Sequence, residues 1–252
     1  MKTILITGAT SGIGRATAIA MANDNNRLII TGRREERLKE LAHEIQVKFK
    51  SEVLILCFDV RDKEAVKNAI NSIPKEWKNI DVLVNNAGLA LGFEPIQEGS
   101  IEDWDNMIDS NVKGLLYVSH HVIPLMIEQN SGHIINIGSI AGKEVYPGGN
   151  VYCATKHAVE AITKAMRMDL VKHNIKVSQV APAATETEFS IVRYHGDEKR
   201  AKDTYKGYKP LVGEDIANVI KFMIEQPPHV CINDVFVAPT AQASATVWNK
   251  KL

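Results

Sequence analysis

Short apolar runs rich in β-branched residues alternate with helix-period segments along the whole chain. The runs predict strands at Thr3–Thr7, Arg27–Thr31, Val53–Phe58, Asp81–Asn85, His133–Ile137, Lys176–Ala181 and Asp234–Ala238. Several are apolar at nearly every position instead of every second one, as expected of strands covered on both faces in a parallel sheet. Between them, Leu38, Leu41, Ala42, Ile45 and Phe49 recur at helical spacing. So do Val66, Ala69, Ile70 and Ile73, and later Ile216, Val219, Ile220 and Met223. The alternation predicts an α/β fold, a Rossmann-type doubly wound parallel sheet with helices on both faces.

Longer helices are predicted at Val112–Glu128, where Pro124 removes a backbone hydrogen bond and should kink the helix, and at Tyr152–His173. The stretch Thr185–Pro210 breaks the rhythm. It is dense in charge, carries Gly196 and Gly207 and is longer than an ordinary connection, the profile of a lid or binding loop. No repeat, low-complexity tract or linker divides the sequence, so residues 1–252 are expected to form one domain, with a lid at about 185–210.

Charge and composition narrow the partners. The 30 Lys+Arg balance 30 Asp+Glu, so the chain lacks the basic footprint that a nucleic-acid partner demands. With 45% hydrophobic residues it has the content of a globular protein rather than of a disordered one. A chain of this size buries around three quarters of its unfolded surface and needs no disulfide or metal staple. Cys57, Cys153 and Cys231 lie far apart with no metal-ligand spacing, and Cys57, inside Val53–Phe58, reads as a core residue. Nothing points to an oxidising compartment. The apolar stretch after Met1 is too short for a signal-peptide core, and no run approaches the ~18–20 residues of a membrane span. The expectation is a cytoplasmic protein without a membrane partner.

The candidate chemistry begins at Thr7-Gly8-Ala9-Thr10-Ser11-Gly12-Ile13-Gly14, which follows the first strand and opens the first helix. Glycines there permit a tight turn and let the backbone approach a pyrophosphate at the positive helix end. The second strand ends Ile30-Thr31-Gly32-Arg33-Arg34, where a carboxylate for a ribose 2′-hydroxyl would otherwise stand. Two arginines there welcome a 2′-phosphate, so NADP is expected over NAD. Asp59-Val60 could hold the adenine, and Asn85-Asn86-Ala87-Gly88 ends the fourth strand beside the same groove. Farther on, Tyr152 and Lys156 are four apart and share one helix face. An ammonium beside a phenol favours the phenolate and should lower its pKa into a useful range. Ser139, after the fifth strand, can donate to a carbonyl oxygen where charge develops.

Gly8-x3-Gly12-x-Gly14, Asn85-Asn86-Ala87-Gly88, Asn111, Ser139 and Tyr152-x3-Lys156, in this order, resemble the short-chain dehydrogenase/reductase family across nearly the whole chain. The resemblance implies a seven-stranded parallel sheet and a nicotinamide cofactor. Tyr152 would be the acid–base and Lys156 would hold the nicotinamide ribose. Ser139 would orient the substrate oxygen, and Asn111 would hold a water linking Lys156 to solvent. Thr10, Ser11, Ile13, Pro182 and Thr187 would add cofactor contacts. Stretches such as Gly32-Arg33-Arg34-x-Glu36-Arg37-Leu38 and Thr187-Glu188-Phe189-Ser190-x-Val192-Arg193 are similar to those of NADP-dependent 3-hydroxy acid dehydrogenases, also described as serine or L-allo-threonine dehydrogenases. That group is tetrameric, so a homotetramer is implied.

One departure stands out. The family usually has Pro-Gly after the sixth strand, and here it is Pro182-Ala183. Alanine tolerates positive φ poorly, so a different loop path is expected. A small acid substrate needs a cation, for which Arg193 in the lid is the candidate, with Lys143 and His195 weaker. The function expected is NADP(H)-dependent hydride transfer at the β-hydroxyl of a small 3-hydroxy acid or at a semialdehyde. The alternatives are reduction of another small carbonyl such as sulfoacetaldehyde, and a non-catalytic nucleotide sensor on the same fold.

Overall fold

In the computed structural model, which describes residues 1–23 and 25–251, strands and helices alternate from the first residues onward. The first half runs β1 (Lys2–Ile6), α1 (Gly12–Met21), β2 (Asn26–Gly32), α2 (Glu35–Phe49), β3 (Val53–Cys57), α3 (Lys63–Asn71) and β4 (Val82–Asn85). Then come α4 (Ile101–Ile108), a π-helical turn (Asp109–Gly114), α5 (Leu115–Glu128), β5 (Gly132–Ile137), α6 (Asn150–Leu170) and β6 (Ile175–Pro182). The chain continues with β7 (Thr185–Glu186), α7 (Phe189–Arg193), α8 (Glu198–Asp203), β8 (Leu211–Val212), α9 (Gly213–Ile224) and β9 (Asp234–Val237). Among the described residues the main sheet is seven-stranded, parallel throughout, in the order β3-β2-β1-β4-β5-β6-β9.

Each predicted strand is present, with no end moved by more than one residue. The near-continuous apolar runs are explained by burial on two faces. Ile4 and Ile6 of β1, Leu28 and Ile30 of β2, and Val82 and Val84 of β4 point into one core, with Leu38, Leu41 and Ile45 of α2 and Ile216 and Ile220 of α9. The residues between them, Leu5, Ile29 and Leu83, point into a second core on the other face, with Val66 and Ile70 of α3 and Val118 and Val122 of α5. Period-2 geometry thus divides one apolar strand between two layers.

Cys57 is a correction. It is exposed, at the end of the edge strand β3, which is paired on one side only, Cys57 standing opposite Gly32 of β2. The helix predicted from Val112 also differs: residues 109–114 form wider π-turns, and α5 begins only at Leu115 and runs on through Pro124 to Glu128. The helix predicted at Tyr152–His173 begins two residues earlier, at Asn150, and ends in a 3₁₀ turn at Val171–His173.

Strand order reverses between β1 and β4, and the carboxyl ends of these strands open a crevice there. The glycine turn after β1, the Asn85–Gly88 turn after β4, Ser139 after β5 and the segment after β6 all meet at this edge.

Candidate active site

One elongated cavity of about 610 Å³ lies along the carboxyl edge of the sheet. Its wall gathers Gly8, Thr10, Ser11, Gly12, Ile13, Arg33, Arg34, Asp59, Val60, Asn86, Ala87, Gly88, Ser139, Tyr152, Lys156, Pro182, Thr187 and Arg193. Of the residues singled out from the sequence, Gly14 and Asn111 do not line it, nor do the weaker candidates Lys143 and His195.

Gly14 acts one layer behind. A Cβ there would sit 2.3 Å from the Gly8 carbonyl oxygen and 2.4 Å from Asn86 Nδ2, so only glycine lets α1 start this close to the turn. Asn86 is the clamp: its Nδ2 donates to the Thr7 and Gly8 carbonyls at 2.9 and 3.1 Å, while the Asn86 and Ala87 amides donate to Thr7 Oγ1, each at 3.0 Å. The side chain of Asn86 therefore holds the turn, and the turn presents the α1 N-terminus to the groove. A helix end with free N–H groups and a backbone cradle without side chains fits a pyrophosphate.

The basic corner is more elaborate than the two arginines. Arg34 donates from Nη2 to Thr10 Oγ1 at 2.8 Å and to Ser11 Oγ at 2.9 Å, and from Nη1 to Glu188 at 2.8 Å. Arg37, one helical turn on, reaches the other oxygen of the same carboxylate. Burial alone would raise the Glu188 carboxyl, but hydrogen bonds from Arg34 and Arg37 outweigh it and hold the pKa below the usual carboxylate range. Arg33 is more than half exposed and lies 3.7 Å from Asp59. Burial would likewise raise Asp59, and Arg61, which binds both of its oxygens, turns the balance downward. Arg37 and Glu188 were not singled out from the sequence. The i, i+3 spacing of Arg34 and Arg37 was the available signal for the first; Glu188 appeared only within the Thr187–Arg193 stretch, and since it arrives from the far side of the fold no local pattern pairs it with the arginines.

The chemistry-bearing side chains sit midway along the cavity. Ser139 is extended at φ −171° and caps the 3₁₀ turn Ile140–Gly142, its Oγ accepting from the Ala141 amide at 3.1 Å. Tyr152 and Lys156, on the first turns of α6, are both buried, with Lys156 Nζ 6.0 Å from the Tyr152 ring centre. Lys156 Nζ donates to the Ile137 carbonyl at 2.9 Å. The expected downward pull of Lys156 on the phenol is corrected here. Burial, then the nearby Tyr146, push Tyr152 above its ordinary value, with the Ser139 hydroxyl and Arg193 opposing. Burial also dominates Lys156, lowering it from 10.5 to about 8.

Asn111 lies in the π-turn beside Gly88. Its Oδ1 accepts from the Leu89 amide at 2.8 Å, and its Nδ2 donates to the Leu89 carbonyl at 2.8 Å and to Thr155 Oγ1 at 3.0 Å. Both of its N–H groups are committed, so the side chain fixes the β4 turn to α6 rather than facing the groove. Ala183 is absent from the positive-φ residues, and its amide donates to the Val237 carbonyl at 2.8 Å. The loop asks nothing that alanine resists.

The Lys156 shift has a sign that can be checked. Between pH 8 and 10.5 the unfolded chain holds the lysine proton and the folded chain has released it, so stability rises with pH through that window. At pH 7 the buried ammonium is a cost. Lys156→Met is expected to raise the unfolding free energy at pH 7 by up to about 3 kcal/mol, the gain fading towards pH 10.5. Urea unfolding at both pH values reads this; a loss of stability at pH 7 would refute it.

Aromatic residues are only 6% of the chain, yet Phe93, Tyr146, Tyr152, Phe189, Tyr194, Tyr205, Tyr208 and Trp248 line the other end of the cavity. Arg193 of α7 lies among them, its guanidinium carbon 4.7 Å from the Phe93 ring centre, 5.6 Å from Tyr152 and 5.7 Å from Tyr146. Nε donates to the Gly92 carbonyl and Nη1 to Tyr146 Oη, both at 3.3 Å. Nη2 is buried and has no hydrogen-bond partner. The weaker candidates lie elsewhere: Lys143 is bound by Glu160 and Asp234, and His195 bonds Asp103 at 3.1 Å on the surface.

Residues 2–197 match the family described as short chain dehydrogenase. The chain is 44% identical over 252 residues to an NADP-dependent 3-hydroxy acid dehydrogenase of Schizosaccharomyces pombe, covering 99% of this chain and 97% of that protein. It is 45% identical over 241 residues to sulfoacetaldehyde reductase 2 of Chromohalobacter salexigens, with 95% of each covered. Among solved structures, the closed form of serine dehydrogenase complexed with NADP+ superposes with a TM-score of 0.92 at 42% identity, covering 99% of this chain and 100% of that one.

Proposed function

The chain belongs to the short-chain dehydrogenase family, and from that premise we propose that it transfers hydride between NADP(H) and the β-hydroxyl or carbonyl of a small 3-hydroxy acid or semialdehyde. Serine, L-allo-threonine and the 3-hydroxypropionate/malonic semialdehyde pair are substrates of this type. The observation that carries the substrate class is Arg193 Nη2, a buried charged donor without a partner beside Tyr152. An unpaired buried charge is costly, and a carboxylate satisfies guanidinium N–H groups with charge-assisted bonds.

The roles of the side chains follow from their positions. Tyr152 exchanges a proton with the substrate oxygen, and its raised pKa keeps it a proton donor at neutral pH. Ser139 Oγ, at the β5 end, holds that oxygen against the phenol. Lys156 Nζ bonds the Ile137 carbonyl and lies beside the phenol, where it can hold a ribose hydroxyl. NADP(H) supplies or takes the hydride when bound. The glycine turn and the α1 N-terminus hold its pyrophosphate, Arg33 and Arg34 its 2′-phosphate, Asp59 and Val60 its adenine, and Pro182 and Thr187 flank the nicotinamide side. The segment at about 185–210 is the lid.

Replacing Arg33 and Arg34 together by serine tests the cofactor. The dissociation constant for NADPH is expected to rise roughly 10- to 100-fold, the loss of one or two charge-assisted contacts, and that for NADH by less than about threefold. Unchanged selectivity in a fluorescence titration removes the pair from the site.

The sulfoacetaldehyde reductase relative favours a second reading. A sulfonate meets the same guanidinium, so a panel of malonic semialdehyde and sulfoacetaldehyde with NADPH ranks the two. A homotetramer in the cytoplasm goes with the proposal. Support for assembly comes from Ile101, Ile108, Leu116 and Met168, which α4, α5 and α6 leave exposed, and no described helix is long and apolar enough to cross a membrane. Sedimentation equilibrium giving a monomer at micromolar concentration overturns the tetramer.

A further inference from the structure

Beyond β9 the chain folds back over the aromatic end of the cavity. Gln242 Oε1 accepts from the Ala184 amide at 3.0 Å, and Glu144, from the segment after Ser139, accepts from the Ala245 amide at 2.8 Å. The Lys251 amide donates to the Gly207 carbonyl at 2.8 Å. Gly207 has φ +84°, and a Cβ there would press on the Lys251 carbonyl oxygen at 3.1 Å and on Lys250 Cβ at 3.3 Å. Glycine in this lid turn is therefore what lets the last residues lie flat against it. The strap is tied at once to the β6 exit, to the segment after Ser139 and to the lid.

The strap delivers a cation. Lys250 Nζ lies 5.0 Å from the Trp248 ring centre and 5.3 Å from Tyr208, whose rings pack 5.0 Å apart, and all three residues line the cavity. Among the described residues neither Lys250 nor Arg193 has a carboxylate within 4 Å, whereas the two carboxylates on the cavity wall, Asp59 and Glu188, are held by arginines at the opposite end. Among the described residues the substrate end thus carries two cations without an ion-pair partner, one deep among aromatic rings and one exposed at the mouth, with the Glu186 carboxylate the acid that acts on Tyr205 and Tyr208.

We infer that the C-terminal strap is the outer wall of the substrate chamber and that Lys250 is a specificity-determining residue, a second anion-reading cation placed at the mouth. It favours capture of anionic substrates over neutral analogues of the same size. This rests on the reading of Arg193 given above, and divides the work between the two: Arg193 anchors the bound anion, Lys250 draws it in. An exposed charge at a rim acts on association and on KM, and salt screens it.

The test compares a 3-hydroxy acid with its methyl ester, using the full chain and the Lys250→Gln and Lys250→Arg variants. At low ionic strength Lys250→Gln is expected to raise KM for the acid about 3- to 10-fold with kcat unchanged and the ester moved less than about twofold. Lys250→Arg restores the acid KM, and the difference shrinks at about 0.5 M salt, where the screening length is a few ångströms. Acid and ester moving together, no change in either, or an effect indifferent to salt overturns the role of Lys250. These results leave the reading of Arg193 standing, because that reading fails on a different one: wild-type protein showing no preference for acid over ester.

Discussion

Tyr152→Phe is expected to lower kcat by about 10³-fold or more while the dissociation constant for NADPH stays within about twofold, the scale of losing a positioned general acid. The substitution removes one oxygen atom and keeps the ring, so the packing against Phe189, 5.7 Å between centres, is preserved. Tyr146 is the control. It is also a phenol lining the cavity, half-buried, but its hydroxyl is engaged by Arg193. Tyr146→Phe is therefore expected to cost less than about tenfold in kcat. NADPH consumption followed by absorbance reads both. Full turnover by Tyr152→Phe assigns the proton to another group.

The same residue sets a pH dependence. Burial raises the Tyr152 phenol, so the protonated form needed to reduce a carbonyl persists across neutral pH. Oxidation of an alcohol needs the phenolate, so its rate is expected to climb with pH over a range where reduction stays level. Lys156 leaves its charged form near pH 8, and above that the phenolate loses its nearest ammonium. A reductive rate that instead falls steadily from pH 6 to 8 contradicts a phenol held above its ordinary value.

Why some of this was legible in the sequence and some not follows from the range of the interactions. The strands and amphipathic helices are local patterns, and a doubly wound sheet follows from their alternation. The glycine turn was readable because Gly14 leaves no room for a Cβ against Gly8, a constraint within seven residues. Cys57 was misplaced because strand order, which makes β3 an edge, is not a local property. The behaviour of Tyr152 was misjudged for a similar reason. Four-residue spacing brings an ammonium near a phenol, but the burial that outweighs it comes from tertiary packing such as that of Phe189 on the Tyr152 ring, remote in sequence. Glu188 and the strap residues Gln242, Trp248 and Lys250 reach the cavity only through tertiary packing, with sequence separations of 58 for Gln242 to Ala184 and 154 for Glu188 to Arg34.

Arg193→Met is expected to lower kcat/KM for a 3-hydroxy acid roughly 100-fold and for its methyl ester less than about threefold, since a hydrogen-bonded charge contact is worth about 1.5–3 kcal/mol. Methionine keeps the apolar volume among Phe93, Tyr146 and Tyr152, which separates loss of charge from collapse of the chamber. Two of the arginine's nitrogens serve the fold, through Gly92 and Tyr146, and the third is left for the substrate. Arg193→Lys isolates that third nitrogen. It keeps the positive charge and loses the planar fork, so the acid is expected to recover only part of the loss, with kcat/KM about tenfold below wild type. If long-range attraction alone governed the acid, Lys would restore it fully. If the side chain served only to brace α7 against Gly92, the acid and the ester would fall together in both variants. Steady-state kinetics on the acid–ester pair therefore separates a carboxylate anchor from a structural strut.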